Sequence, residues 1–430
     1  MLFNHLIKKI FLKLILNISK NGKKILLFAA IFVIEPIILT IGEGISFYSM
    51  TNISQVFLQG LDIYEFIGNK SKIYEHIKIA NEDIVSDKST IPYVIFVLGE
   101  SNDRNHMQIY DYNLPTTPLI NERYDRNEIL RFNDVIACGN HTTSVMQLLF
   151  NFAEKNGYEY SWTDNNTNSP VDEMHLWYDE PNIFNILKNC NYHIVWLSNQ
   201  SPYGMFGSMD EFYSKCCDEI AFTEISDSFT GRKRDEVLLP VLDESLNKSS
   251  NLKNFYVIHL EGTHQAYSFR YPISFSKFTA LDEDKPTEES RRVTAEYDNA
   301  MLYNDHILNE IIKRFEDKEA IVIYLSDHGN EVYEGREFAG HSDESEGNVH
   351  MIEVPMLVWA SQSFKNNHSD KWNAMKKAVD RPYMTDDMIH SLLDLMDIKT
   401  ASYDPRKSIW NDNFDSSRPR IYNGKPYVKH

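Results

Sequence analysis

Five stretches of the chain are apolar without alternation. They are Pro92–Leu98, His193–Leu197, Phe255–Leu260, Ile321–Leu325 and Val354–Trp359. Unbroken β-branched and aromatic runs of this length suit strands buried on both faces of a parallel sheet. Ile321–Leu325 is expected near the centre of that sheet. Val354–Trp359 carries Pro355, which cannot donate to a ladder, and is expected at an edge. Helical spacing occurs between the runs, in Pro181–Lys188 and in Thr294–Phe315, where Ala300, Met301, Ile307, Leu308, Ile311 and Ile312 share one side. Thr51–Asp87 reads as a helical connector through Phe57, Leu61, Ile67, Ile73, Tyr74 and Ile77. Strands alternating with helices predict an α/β fold whose mostly parallel sheet is sandwiched by helices.

The N-terminus has a different character. Ile25–Ile41 is apolar except at Glu35 and Thr40, and its 17 residues reach the lower limit for a membrane-spanning helix. Lys8, Lys9, Lys13, Lys20, Lys23 and Lys24 all precede it, so the positive-inside rule places the N-terminus in the cytoplasm. This predicts a single-pass anchor in the inner (cytoplasmic) membrane with the remaining chain in the periplasm. Glu35-Pro36 in its middle leaves a signal-peptide core or a docked helix as alternatives. The expected division is a basic segment and membrane anchor over 1–50, a connector over 51–90 and a catalytic domain over 91–430. The whole chain carries a net charge of −19 although its first 50 residues are basic, so the body is strongly acidic and lacks the footprint nucleic acid requires. Its four cysteines, Cys138, Cys190, Cys216 and Cys217, allow three pairings in an oxidising compartment, a Cys190 bridge to Cys216 or Cys217 among them.

The strand ends hold the chemistry. Open parallel sheets present ligands at the carboxyl ends of their strands. There the chain places Glu100, Asn199, His264 and the pair Asp327-His328. A carboxylate beside an imidazole suits a divalent metal such as zinc, and an Asp cap followed by a surface His is the alternative. Gly139–Ser144 leads into the apolar run Val145–Phe150, as a helix N-terminus would, offering backbone N–H groups to a phosphate; a plain hydroxyl cap is the other reading. Zinc at the Thr142 oxygen would lower its pKa and fit it to attack phosphorus. His341 lies on the loop beyond Asp327-His328 and competes with His350 for a place near that phosphorus; Gly340, which permits a close approach, favours His341. His106, Tyr110 and His141 read as structural or supporting residues, and His259, inside a strand, as a core histidine.

Phe96-Val97-Leu98-Gly99-Glu100-Ser101, Tyr110, Thr116-Thr117-Pro118, Cys138-Gly139-Asn140-His141-Thr142-Thr143, Tyr297-Asp298-Asn299 and Ser326-Asp327-His328-Gly329 occur in that order. Together they resemble the phosphoethanolamine transferases of the alkaline phosphatase/sulfatase superfamily, over about Pro92 to Trp359. The resemblance implies zinc held by Glu100, Thr142, Asp327 and His328, with Thr142 as nucleophile. It implies a phosphatidylethanolamine donor in the membrane and a lipopolysaccharide or other envelope glycan as acceptor. His264 and His341 match histidines near the phosphate, and Asn199 matches a headgroup contact. Leu148 stands where close relatives have a second cysteine, one apolar span replaces several, and Ser201-Pro202-Tyr203-Gly204 lacks an expected basic residue. A sulfatase or phosphodiesterase-type hydrolase of the same superfamily, or a catalytically silent envelope scaffold, are the competing expectations.

Overall fold

The computed structural model describes residues 73–155, 177–202, 208–224, 233–342 and 346–429. The expected membrane helix and residues 51–72 of the connector lie outside them. No helix among the described residues is long and apolar enough to cross a membrane.

The apolar runs assemble into one seven-stranded sheet. In chain order its strands are β1 (Tyr93–Gly99), β2 (Ile129–Phe132), β3 (His193–Ser198), β4 (Glu219–Phe222), β5 (Asn254–His259), β6 (Ala320–Ser326) and β7 (Met356–Ala360). In space they follow the order β2-β7-β6-β1-β5-β3-β4. β7 runs antiparallel to both β2 and β6, while the other pairs are parallel, so the sheet is mixed. β1 takes the middle place, with β6 beside it.

The edge expected for the Pro355 segment is not what forms. Pro355 precedes the ladder, and Met356–Ala360, all able to donate, pair on both sides. β2 and β4 carry no apolar run because they are short and half-exposed, with burial limited to Ile129 and Phe132 in β2.

Alternation decides which side chains face which layer. Val94, Phe96 and Leu98 of β1 point into one core, with Trp196, Phe255 and Ile323 of its neighbours. Ile95 and Val97 point into the other, with Val195, Tyr256 and Val322. Helices α1 (Pro118–Asp125), α2 (Thr142–Leu149), α3 (Ile183–Asn189), α4 (Leu238–Lys248) and α5 (Glu288–Lys313) cover the sheet. α2 and α3 supply the first core, and α1, α4 and α5 the second. α5 starts before the expected Thr294 because Thr287 caps it, accepting from the Ser290 N–H while the Ser290 hydroxyl accepts from the Thr287 N–H.

Residues read from sequence as the end of a helical connector belong to this compact unit, which begins at Ile73. Ile73 and Ile77 are buried in the first core, and Ile84–Asp87 is a strand paired with Ile398–Thr400. All four cysteines are free and buried, so the Cys190 bridge does not form. Burial pushes the Cys138 and Cys190 thiols up to about 12 and Cys216 to about 11. His259 is a core residue as expected, its Nδ1 2.8 Å from the buried Asp210 carboxylate.

Candidate active site

β1 and β6 are parallel neighbours with Gly99 opposite Ser326, so the next residue on each strand, Glu100 and Asp327, leaves the sheet beside the other. Beyond Glu100 the chain turns sharply at Ser101, whose φ is 63°. That turn is held from two sides: the Ser101 carbonyl accepts from the hydroxyls of Tyr297 on α5 and Thr263, each at 2.8 Å. The Ser101 N–H donates to Asp327 Oδ1 at 3.1 Å and its hydroxyl to Glu100 Oε1 at 2.6 Å. Gly262, at φ 52°, backs the turn; a Cβ there would sit 2.7 Å from the Glu100 carbonyl oxygen. Gly262→Ala is therefore expected to destabilise the domain by about 1–3 kcal/mol and to displace Glu100, read as a lower Tm together with a shift in the Glu100 carboxylate signal by NMR. A lower Tm with that signal unmoved would separate the glycine from the site.

Glu100, Asp327 and His328 are all buried and bring one ligand atom each within 4.8 Å of one another. The His328 Nδ1–H donates to the Gly329 carbonyl at 2.8 Å, which turns Nε2 inward. Nε2 then lies 3.4 Å from Glu100 Oε1, 3.5 Å from Asp327 Oδ2 and 3.4 Å from Thr142 Oγ1. The Thr142 hydroxyl donates to Glu100 Oε2 at 3.0 Å, so it is no helix cap. The residue before it, His141, is extended and makes no side-chain cap bond to α2. The first-turn N–H groups of α2 are thus not satisfied by a capping side chain.

The donor set fits a divalent cation. Asp327 Oδ2 is fully buried yet accepts no hydrogen bond from any described residue, a costly arrangement unless an ion completes it. Two carboxylates, an imidazole nitrogen and a hydroxyl oxygen are ligands that zinc accepts. Burial and the Glu100 charge push the Asp327 carboxyl up to about 7. Burial opposes a charged His328, but Asp327 and Glu100 outweigh it and hold the imidazole up at about 9. For Glu100, burial is outweighed by His328 and His264, and the carboxyl falls well below its ordinary value.

A ring of imidazoles stands over this cluster. The His341 ring centroid lies 4.5 Å from that of His328, 4.8 Å from His141 and 6.5 Å from His264. Burial, reinforced by the charge of His328, drives the His341 imidazole down to about 2, so it is neutral at physiological pH. His350 points elsewhere, its Nδ1 2.7 Å from Asp103.

Residues 92–398 match the sulfatase family model. The chain belongs to the sulfatase family, within the alkaline phosphatase superfamily. It is 29% identical over 343 residues to phosphoethanolamine transferase EptC of Escherichia coli K12, covering 78% of this chain and 56% of that protein. It is 26% identical to the Kdo(2)-lipid A phosphoethanolamine 7''-transferase of the same strain, over 67% of this chain and 48% of that one. The chain thus spans about half the length of the curated relatives it matches. The crystal structure of the C-terminal periplasmic domain of E. coli EptC in complex with Zn superposes with a TM-score of 0.68 at 27% identity, covering 81% of this chain and 94% of that one.

Within this sulfatase-family fold, the residues singled out from sequence are not all brought together. Glu100, Thr142, Asp327 and His328 converge, and His264 and His341 stand beside them. Asn199 is placed otherwise. Its amide donates to the Lys233 carbonyl and to Asp235 Oδ1, both at 2.9 Å, and its oxygen accepts from Thr223 at 2.7 Å, so both amide hydrogens are taken within the protein. The next residue faces the cluster instead, with Gln200 Nε2 3.4 Å from Glu100 Oε2. His141 stands beside the cluster as a supporting residue, as read from the sequence, and Ser101 and Gln200 are the site neighbours that sequence reasoning passed over. Each adjoins a residue it did single out, which is the signal that was available. His106 and Tyr110 are supporting residues as expected, His106 between Asp298 and Glu334 and Tyr110 on the Phe132 and Met356 carbonyls.

Proposed function

We propose that this chain is a zinc-dependent phosphoethanolamine transferase, acting on a phosphatidylethanolamine donor and a lipopolysaccharide or other envelope glycan acceptor, with its catalytic domain periplasmic and anchored by the N-terminal segment. The observation that carries this reading is the Thr142 hydroxyl, 3.0 Å from Glu100, inside the Glu100–Asp327–His328 cluster of a chain 29% identical to EptC. Glu100, Thr142, Asp327 and His328 would hold the ion. When bound, zinc supplies positive charge that favours an ionised hydroxyl and offsets the charge of a phosphoryl group.

The protein's own groups do the rest. Thr142 attacks the donor phosphorus as its hydroxyl proton passes along its hydrogen bond to Glu100 Oε2, forming a phospho-threonine that carries the ethanolamine, and the bond to the diacylglycerol oxygen breaks. The α2 N-terminus directs N–H groups at the phosphoryl oxygens. His264, beside the cluster, would give the leaving oxygen a proton. His341, in the same group of imidazoles, would take the proton of the acceptor hydroxyl when that group attacks the phospho-threonine.

The test is lipid and oligosaccharide mass spectrometry of purified protein mixed with phosphatidylethanolamine vesicles and a lipopolysaccharide core acceptor. Diacylglycerol and an acceptor heavier by one phosphoethanolamine are expected in equal amounts. Free phosphoethanolamine with an unchanged acceptor would make the protein a hydrolase.

A further inference from the structure

The segment that carries Thr142 has no covalent fastening, because Cys138 within it is free. Its backbone is held by a few hydrogen bonds. The Ala137 N–H donates to the Ile352 carbonyl at 2.8 Å, and the Cys138 N–H to the Thr385 hydroxyl at 2.9 Å. The Asn140 amide donates to the Ser342 carbonyl at 2.6 Å. Val135–Ile136, which feeds the segment, pairs with Tyr383–Met384. Whatever steadies Asp134, Glu353, Asp386 and Asn140 therefore steadies Thr142.

One stretch near the C-terminus reaches all four. Arg418 bonds Asp386 at 2.7 Å and Asp387 at 3.0 Å, beside Thr385. Arg420 makes a two-pronged pair with Asp134, Nη1 to Oδ1 at 2.7 Å and Nη2 to Oδ2 at 3.0 Å. Both guanidiniums are largely buried, at 19% and 9% exposed, where a bidentate pair fixes geometry as well as charge. Tyr422 Oη accepts from Asn140 Nδ2 at 3.4 Å. Tyr427 donates to Glu353, which pairs in turn with Arg104 on the loop beyond Glu100. Between these residues, Ile421–Tyr422 and Lys425–Pro426 form an antiparallel hairpin, so the grips belong to one continuous folded stretch.

We infer that Arg418–Tyr427 is a positioning strap that holds the Thr142 segment in register with Glu100, Asp327 and His328. The inference rests on Thr142 being the nucleophile of the proposed reaction. Arg420 and Tyr422 bond Asp134 and Asn140 and none of Glu100, Asp327 and His328, so loosening the strap at these two residues moves Thr142 and leaves the two carboxylates and the imidazole in place.

The experiment uses the full chain with Arg420→Met and, as the milder change, Tyr422→Phe. Thr142 labelling from phosphatidylethanolamine vesicles is followed by intact mass, amide exchange at Ala137 and Cys138 by hydrogen exchange, and zinc affinity by chelator competition. Arg420→Met is expected to slow labelling on the order of 10²-fold through kcat with KM unmoved, Tyr422→Phe about tenfold, since small displacements of a nucleophile cost this much. Exchange at both amides should speed up in each variant, with zinc affinity held within about twofold. Unchanged exchange at the two amides in both variants overturns the strap, as does wild-type labelling in both. A variant whose labelling falls only by its unfolded fraction, with KM and exchange of the folded fraction unmoved, overturns it too. If the unsubstituted protein is never labelled, the transferase reading fails, and the exchange data alone decide whether the strap exists.

Discussion

Thr142→Ala should retain a folded, zinc-binding protein and lose transfer by a factor on the order of 10³ or more, the scale seen when a covalent nucleophile is deleted. Thr142 Oγ1 is the hydroxyl that reaches both Glu100 and His328, at 3.0 and 3.4 Å. Thr143 follows on the next position of α2, about 100° round the helix, and cannot replace it without rebuilding the turn. Thr142→Ser keeps the oxygen and should retain measurable transfer, with a mass adduct at residue 142. Glu100, Asp327 and His328 remain in Thr142→Ala, so zinc should bind with only modest loss. An adduct that persists in Thr142→Ala would show another residue to be the acceptor of the phosphoryl group.

The second large effect concerns protons. With no ion bound, Asp327 titrates at about 7 and His328 at about 9, so at pH 6 both carry a proton. A cation needs the ionised carboxylate and the neutral imidazole, and therefore has to displace both. Raising the pH removes this competition: one proton from His328 across the whole interval from 6 to 8, and the Asp327 proton mainly below 7. Zinc affinity should rise with pH, by about tenfold per displaced proton per unit, or on the order of 10²–10³-fold from pH 6 to 8. Calorimetry in buffers of different ionisation heat would count the released protons directly. Asp327→Asn should both weaken binding at pH 8 and flatten the slope below 7. Affinity that stays flat from pH 6 to 8 would show that these two side chains are not the ligands.

The site was legible in the sequence where the polypeptide delivers chemistry at the end of an apolar run. β1, β5 and β6 are continuous hydrophobic strands, so the residues after them, Glu100, His264 and Asp327-His328, had to emerge on the sheet's carboxyl edge. Asn199 follows the same rule, but the sequence does not show where its amide goes: the buried Asp235 carboxylate, 36 positions on, accepts one of its N–H groups. Its neighbour Gln200 is longer and reaches the cluster. The place of β7 was misread because a proline inside an apolar run looks like an edge signal, although here it stops one residue short of the ladder. β2 and β4 carry too few buried side chains to stand out. The hold of Tyr297 and Thr263 on the Ser101 carbonyl, 196 and 162 positions away, depends on helix and loop placement that no local pattern encodes.

The pairing of Gly99 with Ser326 has an evolutionary corollary. Two candidate metal-binding carboxylates follow one paired position, so an insertion or deletion within either β1 or β6 would shift one of them by a whole residue and flip it to the opposite face. Lineages carrying this reaction centre are thereby barred from changing the length of those two strands. The surrounding loops bear no such restriction, and remodelling them leaves the two carboxylates side by side.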